Sequence, residues 1–146
     1  MTGIQKRIAV GAIIRDDKDR VLIVKPSYKG GWLLPGGLVE SGELPTQTCE
    51  REVMEEIGIK VDVGRLLCVD YGPKDEESVI LIFDCGVLSE DTVFECSDGE
   101  IIEFRFADIE QARQLLRPKG AHRLPRVIDA LRSNSIVYIE DNVNSI

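Results

Sequence analysis

The span from Pro45 to Gly58 restricts this chain's fold more than any other. After Pro45 it contains no glycine or proline until Gly58. Proline suits the first position of a helix, and glycine suits the left-handed residue that stops one. Cys49, Val53 and Ile57 recur every four residues and form an apolar stripe that must be covered. Glu52, Glu55 and Glu56 stand at i, i+3 and i+4, so three carboxylates share a face beside that stripe. Like charges at this spacing repel by about a few tenths of a kcal/mol per pair, so something should offset the cost.

The flanking sequence supplies the cover. Lys6–Arg15 is largely apolar and β-branched and predicts a buried strand. Val21–Val24 predicts a second one, after the polar turn Asp16-Asp17-Lys18-Asp19. That turn is too short for an EF-hand and lacks its glycine and terminal glutamate, so it reads as a plain hairpin turn. Pro26–Gly31 reads as a loop. Trp32-Leu33-Leu34 then leads into the turn Pro35-Gly36-Gly37 and a short strand piece at Leu38-Val39. Beyond Gly58, Ile59–Val63, Arg65–Tyr71, Ser78–Leu88 and Glu100–Phe106 are strand-like, separated by loops at Gly72–Asp75 and Ser89–Gly99. Asp108–Arg117 predicts a second helix ended by Pro118. Leu124–Arg132 predicts a third, starting near Pro125, with a polar tail after Tyr138. Strands, one helix, more strands and then helices predict an α+β fold or a layered α/β/α one.

Size and charge narrow the function classes. At 146 residues the expectation is a single domain over 1–146, large enough to bury about 68–70% of its unfolded surface without staples. The net charge is −8 and lysines and arginines are scattered, so no basic stripe for nucleic acid is present. An anionic protein can still bind a phosphorylated small molecule if a cation bridges the two. Cys49, Cys68, Cys85 and Cys96 form no C-x-x-C pair and read as thiols in a reducing compartment, three of them buried and Cys96 more exposed. The N-terminal MTGIQKRIAV has no apolar h-region, and no apolar run reaches membrane-spanning length, so a cytosolic location is expected.

Taken alone, a run such as EREVMEE marks a solvated, ion-paired helix face, with Arg51 opposite Glu55 at i+4 and Glu50 exposed. The complete spacing changes that reading. Gly37, Glu43 and then Arg51-Glu52-Val53-Met54-Glu55-Glu56-Ile57-Gly58-Ile59 fit every fixed position of the Nudix box. From this chain's composition, a chance match is on the order of one in a million. The chain therefore resembles the Nudix hydrolase superfamily. The WLLPGG approach, the two hairpin strands and the later Glu100-x-x-Glu103-x-Arg105-Phe106 segment extend the likeness over the first three-quarters of the sequence.

The resemblance implies an α/β/α sandwich with a mixed sheet, with the box at 37–59 forming a loop–helix–loop and the C-terminal helices and tail at 108–146. It implies Mg²⁺, with Mn²⁺ as a substitute, held by Glu52 and Glu56 as principal ligands, Glu55 as a further one and the Gly37 carbonyl as a backbone ligand. Glu43 and Arg51 are similar to supporting residues that orient the loop and the carboxylates. Glu100 takes the place of a distal carboxylate that binds metal or acts as general base in some members, while Glu52 is the base in others. The implied reaction is hydrolysis of a diphosphate linkage in a nucleoside diphosphate derivative, such as a nucleoside triphosphate or ADP-ribose. The partner is a small nucleotide-like molecule rather than nucleic acid or membrane, with a homodimer left open.

Substrate choice is expected from the loops Pro26–Gly31, Gly72–Glu77 and Ser89–Gly99. The SQPWPFPxS stretch of NADH pyrophosphatases and the LLTxR-type coenzyme A motif are absent, and Pro73 stands near the position of a proline associated with ADP-ribose hydrolases. Phe106 departs from the tryptophan common at its position. His122 has no catalytic place, and Trp32 is expected in the core. A non-catalytic nucleotide sensor on the same fold is the alternative. Such modules often lose box carboxylates, whereas Glu43, Arg51, Glu52, Glu55 and Glu56 are all present here.

Overall fold

The structure is a computed structural model that describes residues 2–28, 30–96 and 99–142. Lys29 in the first loop, Ser97 and Asp98 in the third, and residues 143–146 of the tail lie outside them. The chain runs β1 (Ile8–Arg15), β2 (Val21–Pro26), β3 (Gly36–Leu38), α1 (Pro45–Ile57), β4 (Leu66–Tyr71), β5 (Val79–Val87), β6 (Ile101–Ala107), α2 (Ile109–Leu115), α3 (Pro118–Arg132) and β7 (Val137–Ile139). The strands form one mixed sheet in the order β6-β2-β1-β5-β4-β7, with β3 alongside β1. The β1–β5 and β4–β7 pairs are parallel, and the others are antiparallel.

Strand alternation builds the layers, because successive side chains point to opposite faces. On one face Val10, Ala12 and Ile14 of β1 and Leu22 and Val24 of β2 meet Cys49, Val53 and Ile57 of α1. On the other, Ile13, Val21 and Ile23 meet Ala112 of α2 and Leu124, Val127 and Ile128 of α3. The result is the α/β/α sandwich, with its core split by the sheet. All three stripe residues of α1 are fully buried. The helix stops at Gly58, whose φ is 72° and whose N–H donates to the Met54 carbonyl at 2.9 Å.

Five sequence expectations need correction. Gly36 and Gly37, expected in a turn, open β3, which ends at Leu38 and leaves out Val39. Ile59–Val63 is not a strand. Ile59 and Val61 are buried and Lys60 and Asp62 exposed, so the period-two pattern is real, but no neighbouring strand pairs with it. The third helix starts at Pro118, seven residues before Pro125, which lies inside it. Pro118 therefore starts a helix as well as ending one, and α2 stops earlier, at Leu115. The tail is not simply polar: Val137–Ile139 adds a strand parallel to β4. Pro26 belongs to the end of β2, opposite Ile101 across a register shift.

Other expectations hold. Asp16 accepts hydrogen bonds from the backbone of Lys18 and Arg20, which makes an ordinary polar turn. Cys49, Cys68 and Cys85 are buried and Cys96 is half-buried. Trp32 is buried in the α2/α3-side core, with the Arg105 guanidinium over its ring. Phe106 packs edge-on to Phe94 with 6.0 Å between ring centroids. His122 is exposed on α3. Among the described residues no helix is long and apolar enough to cross a membrane.

Candidate active site

The box residues converge where α1 crosses the glycines that open β3. Arg51 is the hub. Its Nε donates to Glu43 Oε2 at 2.6 Å and its Nη2 to Glu43 Oε1 at 3.1 Å, a two-point pairing that fixes the planes of both groups. Nη1 donates to Glu52 Oε1 at 2.8 Å and reaches Glu55 at 3.3 Å, and Nη2 also donates to the Leu38 carbonyl at 3.3 Å. One guanidinium thus joins loop, helix and strand. Thr48, which the sequence reading passed over, donates its hydroxyl proton to Glu43 Oε1 at 2.6 Å. The Arg51 guanidinium, with the Thr48 hydroxyl behind it, holds the Glu43 carboxyl down at about 2. Glu43 in turn holds the proton on Arg51 more firmly than usual.

A pH consequence follows from the sign of that shift. A depressed carboxylate contributes stability that is present above its unfolded pKa near 4.5 and is lost as pH falls through about 2. Between pH 7 and 5 the Glu43–Arg51 contact should therefore leave stability unchanged. Glu43→Gln should make the melting midpoint less sensitive to pH below about 4.5 than it is in the parent chain. Parallel melting curves for the two proteins down to pH 3 would contradict this.

Glu52 and Glu56 lie four residues apart on α1, one helical turn, so their carboxyls stand on the same face. Glu56 is only 5% exposed, and both its oxygens lie 3.4 Å from the Gly36 N–H. Burial raises the Glu52 carboxyl above its ordinary range, against the opposing pull of Glu56 and Arg51. The Glu52 carboxylate fills the space that a side chain on Gly37 would need: a Cβ there would lie 2.5–2.8 Å from the carboxylate atoms.

The structure thus brings Gly37, Glu43, Arg51, Glu52 and Glu56 together. Glu55 turns toward Arg51 and is about half exposed. Glu100 immediately precedes β6, and its carbonyl accepts from the Ser27 N–H at 2.7 Å. Next to it is Tyr28, a residue without a sequence signal. Partial burial and then the charges of Glu100, Glu56 and Glu52 raise the Tyr28 hydroxyl pKa, although the residue stays largely exposed.

Among the described residues no three His, Cys, Asp or Glu side chains stand close enough to form a ready metal cage. The donor set nonetheless suits a hard divalent cation. Mg²⁺ keeps several waters and is usually bound through one or two carboxylates plus substrate phosphates. Two carboxyls one helical turn apart, beside the bare backbone of β3 at Gly37, meet that description.

A cleft of about 270 Å³ opens on the α2/α3 side of the sheet. Its wall includes Ala9, whose β1 position pairs with Leu38, the residue after Gly37. Gly72, Pro73, Glu76 and Glu77 of one of the three expected loops line it too. Its floor is buried and polar: Asp70 accepts from Arg123 Nε at 2.7 Å and from Asn142 Nδ2 at 2.8 Å. Lys119 pairs with Glu77 at the rim, and Lys6 ties the loop down through the carbonyls of Gly72 and Lys74. None of these floor residues was singled out in the sequence, because their roles exist only once β4, α3 and the tail meet.

Comparison with known proteins places the chain in a family. The NUDIX domain family matches residues 5–131. A MutT-like protein of Streptomyces ambofaciens is 35% identical over 118 residues, covering 76% of this chain and 75% of that protein. Diphosphoinositol polyphosphate phosphohydrolase 2 of Mus musculus is 42% identical over 128 residues, covering 86% of this chain and 72% of its own. The crystal structure of a MutT protein from Methanosarcina mazei Go1 superposes with a TM-score of 0.74 at 26% identity, covering 92% of this chain and 99% of that one. From box, fold and relatives together, the chain belongs to the Nudix hydrolase superfamily, enzymes that act on diphosphate bonds.

Proposed function

We propose that this chain hydrolyses the diphosphate linkage of a nucleoside diphosphate derivative, a nucleoside triphosphate or a nucleotide sugar such as ADP-ribose, using Mg²⁺ or Mn²⁺. The observation that carries the reading is the Glu52–Glu56 pair on α1, with Glu56 buried and Glu52 partly so, against the Gly36-Gly37 start of β3. Glu52, Glu56 and the Gly37 carbonyl would hold the ion, with Glu55 and Glu100 as further ligands. Bound there, a divalent cation offsets the charge of an anionic substrate, polarises its phosphoryl oxygens and lowers the pKa of water. The chain's own part is orientation and proton transfer. Arg51 and Glu43 hold the box loop and the Glu52 carboxylate in place, and Glu52 or Glu100 takes the proton from the attacking water.

We assign the cleft to the part of the substrate beyond the diphosphate, where its charge favours a nucleotide over a more highly charged ligand. Its two cationic side chains, Lys119 and Arg123, are already paired with Glu77 and Asp70, and Glu76 adds negative charge. A ligand with several ring phosphates would meet no spare cation among these residues, whereas a base or sugar would meet polar, partly apolar walls. The proposed unit spans the whole 146-residue chain, acts on a small molecule rather than nucleic acid or membrane, and has a cytosolic setting; a homodimer is compatible with it.

The test is product release from a panel in millimolar Mg²⁺: nucleoside triphosphates, ADP-ribose, nucleotide sugars, dinucleotides and a diphosphoinositol polyphosphate. Cleavage should be confined to nucleotide substrates, vanish in EDTA and return with added Mg²⁺. Turnover undiminished in chelator would remove the metal from the mechanism. Tight binding of the nucleotides without any cleavage would favour the sensor alternative.

A further inference from the structure

Outside the box carboxylates, the molecule holds a second pair of reactive groups in contact. Cys49 on α1 and Cys85 on β5 place their sulfurs 3.6 Å apart, a hydrogen-bonding thiol pair. They are separated by 36 residues in sequence and lie in the core between α1 and the sheet, with 0% and 4% of their surfaces exposed. Cys68 lies on the opposite face of the sheet, in the α2/α3-side core.

We infer that Cys49 and Cys85 are an oxidation site, closing to a disulfide under peroxide and thereby displacing the carboxylates of the box helix. The chemistry balances with one peroxide. The Cys49 thiolate attacks a peroxide oxygen, the O–O bond breaks, and the sulfur becomes a sulfenic acid as the first water leaves. The Cys85 thiol then attacks that sulfur, the S–O bond breaks, and the second water leaves with the remaining proton. Two thiols lose two hydrogens and two electrons, and peroxide is reduced to two waters. The order follows from the pair's asymmetry. Its hydrogen bond lowers the Cys49 thiol, while the same bond and then burial push Cys85 up. Because both sulfurs are sealed, the reaction proceeds through local opening of α1 and is slower than at the half-buried Cys96.

The consequence for the box comes from geometry. A disulfide draws the sulfurs to about 2.05 Å, more than an ångström closer than the thiols now stand. β5 is paired on both sides, by β1 and β4, so the movement falls mainly on α1. Glu52 follows Cys49 by three residues on that helix. If the proposed function holds, a displacement of about 1 Å at a catalytic carboxylate is enough for losses on the order of 100-fold.

The test uses the full chain, treated with hydrogen peroxide, alkylated in denaturant and mapped by mass spectrometry, with turnover and hydrogen exchange of α1 followed in parallel. The expected result is a Cys49–Cys85 peptide lacking two hydrogens, slowed exchange in α1, and turnover reduced at least about tenfold and restored by dithiothreitol. Cys85→Ala and, independently, Cys49→Ala should keep basal turnover and show no dithiothreitol-reversible loss under the same oxidant. Both thiols still alkylatable after Cys96 is oxidised would overturn the site, as would sulfinic acid without a bridge. A mapped bridge with unchanged turnover would overturn the switch. The peptide map and the exchange data do not depend on substrate, so a failure of the proposed function is distinguishable from a failure of this one.

Discussion

Glu56→Gln is expected to leave a folded protein whose turnover falls by about 100- to 1,000-fold. Metal-assisted charge stabilisation supplies on the order of several kcal/mol at the transition state, and each 1.36 kcal/mol corresponds to about tenfold in rate. Glutamine keeps the shape of the side chain and still offers an oxygen to the Gly36 N–H, but it carries no charge for a cation. The fold should not suffer. Glu56 is a buried acid beside a second acid, and removing its charge relieves repulsion worth about a few tenths of a kcal/mol. Apo melting should therefore be unchanged or slightly higher, while the stabilisation that added Mg²⁺ gives the parent chain should be lost. Kinetics near those of the parent would show that Glu56 is not a ligand.

The neighbouring glycines give the second large effect, and the two should differ in kind. A Cβ on Gly36 would lie 2.0 Å from the Val10 carbonyl oxygen and 3.0 Å from the Gly11 Cα, both backbone atoms of β1 that cannot step aside. Gly36→Ala should cost about 3 kcal/mol, which lowers the melting midpoint by about 6–12 °C in a domain of this size. The three atoms nearest a Cβ on Gly37 all belong to the Glu52 carboxylate, the far end of a side chain that can move. Gly37→Ala should melt close to the parent chain yet lose about 100-fold in turnover, because the carboxylate is pushed from its position. Parent-like turnover in Gly37→Ala would mean that the place of the Glu52 carboxylate does not matter to the reaction. Melting of Gly36→Ala at the parent's midpoint would mean that the close approach to β1 is not rigid.

The parts of this molecule legible in the sequence are those specified by short-range order. The box helix is bounded by Pro45 and Gly58, its stripe follows a four-residue period, and both ends and the buried face stand where that pattern puts them. The family likeness singles out Glu43 and Arg51 as supporting residues without pairing them; the structure joins them directly and adds Thr48 and the Leu38 carbonyl. What could not be read depends on distant partners. Ile59–Val63 alternates like a strand but has no ladder, since pairing requires a neighbour and not only a pattern. Pro118 is ambiguous locally, because the same ring that ends one helix starts another. The Asp70–Arg123–Asn142 floor joins a strand, a helix and the tail, and the Ser27-Tyr28 segment meets Glu100 only through a contact seventy-three residues away in sequence.

The central strand has a consequence for how the chain acquires its shape. β1 finds β2 and β3 within its first forty residues, but its parallel partner on the other side is β5, with Ile8 opposite Val79. Closing so long a loop carries an entropic cost that must be met before the contacts form, and such topologies fold slowly. During synthesis, the apolar run from Ile8 to Ile14 therefore emerges with one edge unsatisfied until β5 follows. That exposed edge is the segment through which a nascent or partly unfolded chain would most readily associate with another copy.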